Sequence, residues 1–415
     1  MAYLSTMSKL YTFNFHQSSK GGILLSSEQK VWSLSDRWNR ENGYRQVLSI
    51  AFPLVLSMGS VAIMLFVDRM FLTWHSAEAV AASMPAGMLN FALMTLFMGT
   101  AGYTSTFVAQ YHGAGRHDRI GPTVWQGIYI AMIGAVALLA LAPFAGIFFR
   151  FIGHDVAIRE NEIVYFRLLC LGALPFVASA AVAGFFSGRG RAWPVMWVNV
   201  LATSINALMD YVLIFGHWGF PELGIKGAAI ATVISSSVGF IVYLALLSKR
   251  ANNTQYRTIS GWRFDQALFR SLVRFGLPNG LQFFIDMIGF TVFILFMGRL
   301  GAVPLAAINI AMNINILAFL PMIGVGIAIS VLVGQALGRD RPDLAERSVY
   351  AGAHICFIYM ATAAALYWFV PGVFLSIFSA QADAESFDEI RPIAIAALRF
   401  GAVFSLLDRR TVVSG

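Results

Sequence analysis

Charged residues are scarce in this chain. Only 12% of its 415 residues are Asp, Glu, Lys or Arg, against about 25% in a soluble domain. That deficit excludes a soluble enzyme built around a large core. Cysteine is scarcer still: Cys170 and Cys356 stand alone within apolar segments. They offer neither a disulfide framework nor the ligand spacing of a structural metal site. No stretch matches G-x-x-x-x-G-K-[ST], HExxH, CxxC or G-x-S-x-G. The sequence therefore has no Walker-type ATP site and no recognisable hydrolytic nucleophile, and the expectation is a protein that is not an enzyme and uses no bound cofactor. Residues 1–44 contain only the short apolar piece "GGILL", too little for a signal-peptide core.

Apolar residues are abundant: 58% of the chain is hydrophobic and the mean hydropathy is +0.69. Nine long apolar segments recur, at about 46–73, 79–109, 122–149, 160–187, 193–216, 226–248, 268–298, 303–336 and 344–370, and a tenth begins near 392. Runs longer than about 18 residues read as membrane-spanning helices. The formal charge of +8 would suit nucleic acid if the basic residues shared one soluble face. They lie instead in the loops. With the N-terminus inside, nineteen Lys and Arg fall in cytoplasmic segments and five (Arg150, Arg159, Lys226, Arg299 and Arg391) outside. The positive-inside rule thus predicts a multi-pass protein of the plasma (inner) membrane with a cytoplasmic N-terminus.

The chain also repeats itself. A shift of 225 residues places Arg45 on Arg270, Pro53 on Pro278, Gln110 on Gln335, Gly113 on Gly338 and Asp118 on Asp343, with 18 identities over the 74 positions 45–118. Six crossings separate the copies, so both enter the membrane in the same direction. Parallel repeats of this kind are typical of secondary transporters. The expected organisation is a cytoplasmic, largely disordered tail (1–44), a six-helix N-lobe (45–249), a cytoplasmic linker (250–267) and an incomplete C-lobe (268–415) with helices 7–9 and part of 10. Six helices in the first lobe predict six in the second, so the sequence reads as a fragment or an interrupted frame.

Against this apolar background a few polar side chains stand out. Asp68, Asp210 and Thr232 each lie six residues from the outer end of a segment, about 9 Å below the boundary at 1.5 Å per residue. In "SINALMD", Asn206 sits one turn deeper than Asp210 on the same helical face. An acid inside a membrane helix costs about 2.5–3.5 kcal/mol on insertion scales, and such acids are functional by default. Two carboxylates, an amide and a hydroxyl at one depth supply the oxygen ligands of a proton or small-cation site. The plain alternative is interhelical hydrogen bonding for Asn206 and Thr232, and an ion pair with Arg69 for Asp68. Further along, Gln282 and Asp286 share a face in "GLPNGLQFFIDMIGF". Asn309 and Asn313 lie one turn apart in "INIAMNIN", and Asp408 stands beside Arg409 and Arg410. His354 is alone in an apolar segment and reads as a satisfied core histidine.

The stretches "FPLVLSMGSVAIMLFVDRMFL", "VAQYHGAG", "FFSGRGRAWPVMWVNVLATSINALMDYVLIFG", "GIKGAAIAT" and "FGLPNGLQFFID" resemble the multidrug and toxic compound extrusion (MATE) transporters. The resemblance implies an all-α, two-lobed membrane protein, and ion-coupled antiport of organic cations or amphipathic drugs by alternating access. It also implies that the positions of Asp68, Asn206, Asp210 and Thr232 hold the driving H⁺ or Na⁺. Gln282, Asp286, Asn309, Asn313 and Asp408 are then candidates to line the substrate cavity, and Pro53 is a candidate hinge. The expected partners are a small-molecule substrate and the bilayer, with neither ATP nor nucleic acid. A lipid or lipid-linked-sugar flippase of related architecture is the alternative function. It calls for a strongly basic cavity, whereas the embedded basic residues are few: Arg69, Arg167, Arg399 and the terminal pair. A non-functional remnant of a transporter is the third reading.

Overall fold

The computed structural model describes residues 38–152, 154–298, 302–379 and 384–407. Most of the N-terminal tail and Asp408, with its two arginine neighbours, lie outside them. Among the described residues there is no β-strand. Each apolar segment forms a helix: α1 (Tyr44–His75), α2 (Ala77–Gly102) continued by α3 (Thr104–Gly113), α4 (Ile120–Leu141) followed by the short α5 (Ala145–Ile152), α6 (Val156–Leu171) with α7 (Ala173–Ser187), α8 (Trp193–Phe215) and α9 (Ile225–Leu247). The short α10 (Arg250–Tyr256) leads into α11 (Gln266–Gly298), α12 (Ala302–Gly338), α13 (Pro342–Phe369), the short α14 (Pro371–Ser379) and α15 (Ala384–Leu407). Among the described residues, seven spans are long and apolar enough to cross a membrane, or eight with the pair α6–α7, which is bent by 45°. Helix α1 runs unbroken through Pro53.

Local chemistry sets the ends. The Ser76 hydroxyl accepts the amide of Ala79 to cap α2, and the Asp265 carboxylate accepts that of Leu268 to cap α11, the usual N-cap geometry. Gly216 closes α8 in the left-handed region at φ 73°, where only glycine avoids a Cβ penalty. Exposed Trp193, Trp197 and Trp262 sit at one end of the bundle, and exposed Trp74 and Trp218 at the other, the two aromatic belts of a membrane protein.

The second lobe repeats the first in structure as well as in sequence. The short α5 and α14 occupy corresponding places after the third span of each copy. The lobes meet at the end carrying the loops rich in Lys and Arg, called the basic end below. There the contact is reciprocal. A Cβ on Gly113 would lie 2.0 Å from the carbonyl oxygen of Gln335, and a Cβ on Gly338 would lie 2.2 Å from that of Gln110. These are the same pair of positions exchanged between copies. Gly99 against Gly280, and Gly324 against Val55, repeat the pattern one step deeper. Glycine is needed at these crossings because the backbones touch.

Two clasps reinforce this seam. The last residues of the stretch read from sequence as a disordered tail are docked on the C-lobe. The Asn42 amide donates to the Leu344 carbonyl and to Ser348 Oγ at 3.1 and 2.8 Å, Arg339 pairs with Glu41 at 2.9 Å, and the Tyr44 hydroxyl meets His354 Nδ1 at 2.9 Å. His354 is thus exposed and tied to Tyr44 rather than packed in a core. The linker forms the equivalent clasp on α4. Arg119 pairs with Asp265 at 3.1 Å, and the Trp125 indole donates to the Thr258 carbonyl at 2.7 Å. These bonds, with Asn279 to the Gly99 carbonyl and Gln335 to the Gly188 carbonyl, lie at the basic end or in the adjoining halves of the helices. Asn42→Gly keeps the positive φ of 58° at this position but removes both side-chain bonds, a cost of about 1–3 kcal/mol. It should accelerate amide exchange at the start of α1 and of α13, read by hydrogen–deuterium exchange.

Candidate functional site

Helix α8 packs against both α1 and α9, and α6 packs against α2 and α9. This arrangement gathers the polar residues of the N-lobe well away from the basic end. Asp68 is 8% exposed, and Asn206 and Asp210 are wholly buried. Asp210 lacks a hydrogen-bond partner on both carboxylate oxygens, Asp68 lacks one on Oδ1, and Asn206 lacks one on both amide atoms. Buried polar groups of native proteins are almost always paired, and an unpaired buried carboxylate is the most costly kind. The two acids act on each other electrostatically. Arg69, next to Asp68 in the chain, is exposed, and no ion pair to Asp68 is present among the described residues.

Tyr165 of α6, absent from the sequence-based candidates, completes the group. It is 5% exposed and lies close enough to Asp68 and Asp210 for both acids to act on it electrostatically. The signal was weak: one tyrosine in a mixed segment, whose face cannot be known before α6 is placed. Beneath it, buried Asn90 of α2 donates to Cys170 Sγ at 3.5 Å. Thr232 is brought to the neighbouring helix but spends its hydroxyl proton on the Ala228 carbonyl of its own turn, at 3.0 Å. Its oxygen lone pairs stay available as acceptors.

The C-lobe candidates are arranged differently. Gln282 and Asp286 on α11, and Asn309 and Asn313 on α12, are all exposed. Asn313 donates to the Asn309 carbonyl at 2.8 Å. None of them joins the buried acids. Asn315, which the 225-residue shift places on Asn90, is the half-buried one, with an unpartnered Oδ1.

The sequence profile of the MatE family matches residues 53–212 and again residues 278–408, two matches whose starts differ by the same 225 residues as the internal repeat. The chain belongs to the MatE family. It is therefore a multi-pass membrane protein of a transporter family and not an enzyme. Relatives described as "Probable multidrug resistance protein NorM" are 31% identical over 73% of this chain in Bradyrhizobium diazoefficiens and 28% identical over 92% in Brucella suis. The chain spans 65% of the length of the first relative and 81% of the second. Among solved structures, a multidrug resistance MATE family transporter in its outward-facing conformation superposes with a TM-score of 0.80 at 21% identity, covering 91% of this chain and 82% of that one. A MOP superfamily transporter from Pyrococcus furiosus gives 0.77 at 22%, covering 90% and 81%. The MatE fold thus extends over both lobes described here.

Proposed function

We propose that this MatE chain is a multidrug efflux antiporter that exchanges external H⁺ or Na⁺ for an organic cation or amphipathic drug. One observation carries the reading: Asp68 and Asp210 are buried with no ion-pair partner among the described residues, beside an amide with no partner. Such a group is stabilised by a proton or a small cation and is costly when empty. The names of the NorM relatives supply the class of cargo.

The loop charges make the basic end cytoplasmic. With the seam at that end closed by the glycine crossings and both clasps, this is an outward-facing state. Ion binding then shifts the balance toward the state that releases substrate, through unequal affinity for the two states. In the C-lobe, Gln282, Asp286, Asn309 and Asn313 line the substrate path in this reading. An exposed Asp286 in a membrane helix is expensive against lipid but acceptable against a water-filled cavity, where it would attract a cation. Pro53, buried in α1, is the bend point.

The test is ethidium transport in proteoliposomes, under an imposed pH gradient and then an imposed sodium gradient. Uptake driven by one of them supports the reading, and transport indifferent to both sinks it. Tyr165→Phe deletes only the hydroxyl at Asp68. It should slow gradient-driven transport roughly 10- to 100-fold, the worth of one hydrogen bond to a charged group, with the ethidium affinity unchanged by fluorescence titration.

A further inference from the structure

Helix α6 carries a third buried acid. Glu162 of α6 is wholly buried; its Oε1 meets His154 Nδ1 at 2.7 Å, and its Oε2 has no partner. The His154 side chain is 38% exposed. Glu162 follows Val156, the first residue of α6, by six positions, so it lies about 9 Å below the outer end of that helix, the depth of Asp68 and Asp210. Tyr165 is three residues further on, so the two side chains share one face with Cβ atoms about 5–6 Å apart. Long side chains in a helix lean toward its N-terminus, which turns Tyr165 toward Glu162. His154 at the surface, Glu162 and Tyr165 thus follow one another along one side of α6 toward Asp68, with Glu162 Oε2 unpartnered between them.

The outer part of the seam between α1 and α8 is lined with aromatic rings. Phe71 packs edge-on against Phe215 with ring centroids 5.8 Å apart and lies 6.2 Å from Tyr211, which stacks on His217 at 4.4 Å. Above these rings His75 is paired with the exposed Glu222. On the elements packed against α6, the charged side chains toward the outer end are Glu78 of α2, Arg150 of α5 and Lys226 of α9; Arg159 and Glu160 stand on α6 itself, and Asp155 precedes it. Among the described residues none of them pairs with Glu162, and His154 is its one ion-pair partner.

We propose that His154 and Glu162 form the external proton port of the acidic site, an inference that rests on the proton-coupled form of the function above. Imidazolium Nδ1–H gives its proton to Glu162 Oε1. The neutral carboxyl then turns about its Cγ–Cδ bond, and the same proton passes to the Tyr165 hydroxyl oxygen, once that group comes within reach, as the hydroxyl gives its own to Asp68. Each step breaks one O–H or N–H bond and forms one, and Tyr165 ends as it began. His154 and Glu162 are positioning groups for the proton and do not bind the cargo.

The experiment uses the full chain in proteoliposomes, with an interior pH dye and ethidium, after a jump in outer pH. Glu162→Gln should slow proton delivery about tenfold or more, as the loss of a proton-transfer group does, and external formate, a small diffusible acid, should restore the rate. His154→Gln, which leaves the helix intact, should move the pH dependence of the rate without changing ethidium affinity. His75→Gln should have neither effect. If Glu162→Gln and His154→Gln both keep the wild-type rate and pH profile while Asp210→Asn is inactive, the port is wrong and the coupling site stands. Slowing that formate does not restore, with an unshifted profile in His154→Gln, reduces the pair to a structural tie and also overturns the proposal. If Asp210→Asn transports normally, the underlying function itself fails.

Discussion

Asp210→Asn is expected to reduce gradient-driven ethidium transport to background, a loss of roughly 100-fold or more, equivalent to about 2.7 kcal/mol. Asparagine fits the space and keeps a polar head, but it cannot carry the charge that an incoming H⁺ or Na⁺ neutralises. The same change removes a buried carboxylate whose two oxygens have no partner. The variant should therefore unfold at a higher temperature than the wild type, because an uncompensated buried charge costs stability. Activity lost together with stability gained separates a functional acid from a structural one. A structural Asp would lose both. Asp68→Asn should behave alike, and the double variant should be little worse than either single one, since groups that work as a unit are not additive. Transport by Asp210→Asn at the wild-type rate, still sensitive to the gradient, would remove the acid pair from the mechanism.

The second large effect is expected at the seam. In Gly113→Val the new side chain meets the Gln335 carbonyl, which stands 2.0 Å from where even a Cβ would sit. Overpacking of this kind costs about 1–3 kcal/mol, and here it is charged only to the state in which the basic end is closed. The population of that state should fall roughly 5- to 150-fold relative to the open one. Spin labels at Gly115 and Asp340, in a background without Cys170 and Cys356, report the change as a longer distance between the loops at the basic end. Gly59→Ala is the control, since nothing lies within 4 Å of its added Cβ. An unchanged distance distribution in Gly113→Val would mean that the glycine crossing does not hold the lobes together.

Depth and azimuth explain what the sequence reveals and what it conceals. Depth is a matter of counting, at 1.5 Å per residue from a charged loop, and it is what singled out Asp68, Asp210 and Thr232, of which the two acids are buried. Azimuth is another matter. These helices are apolar all round, as buried and membrane helices are, so no stripe shows which face turns inward. Tyr165 and Glu162 were invisible for that reason, and Glu162 also because the apolar run begins at about 160 while α6 begins at Val156. Asn309 and Asn313 stood out by spacing, yet the half-buried amide is Asn315, two positions on. Long-range pairing was out of reach altogether. Asn42 looks like part of a polar tail until Leu344 and Ser348 are seen 302 and 306 residues away. The repeat was legible because 18 identities survive at a single register, and the reciprocal seam is its physical expression.

That seam has a consequence for biosynthesis. A surface that binds its own copy about a two-fold axis is self-complementary, and one such contact leaves no open face to propagate. The N-lobe patch around Gln110 and Gly113 leaves the ribosome first. Its intended mate, around Gln335 and Gly338, is 225 residues behind, a delay of about 10–45 s at ordinary translation speeds. Throughout that interval the glycines and carbonyls of the patch have no mate within their own chain. The covalent link through the linker gives the lobe of the same chain the higher effective concentration once it is made. Until then, the patch waits exposed.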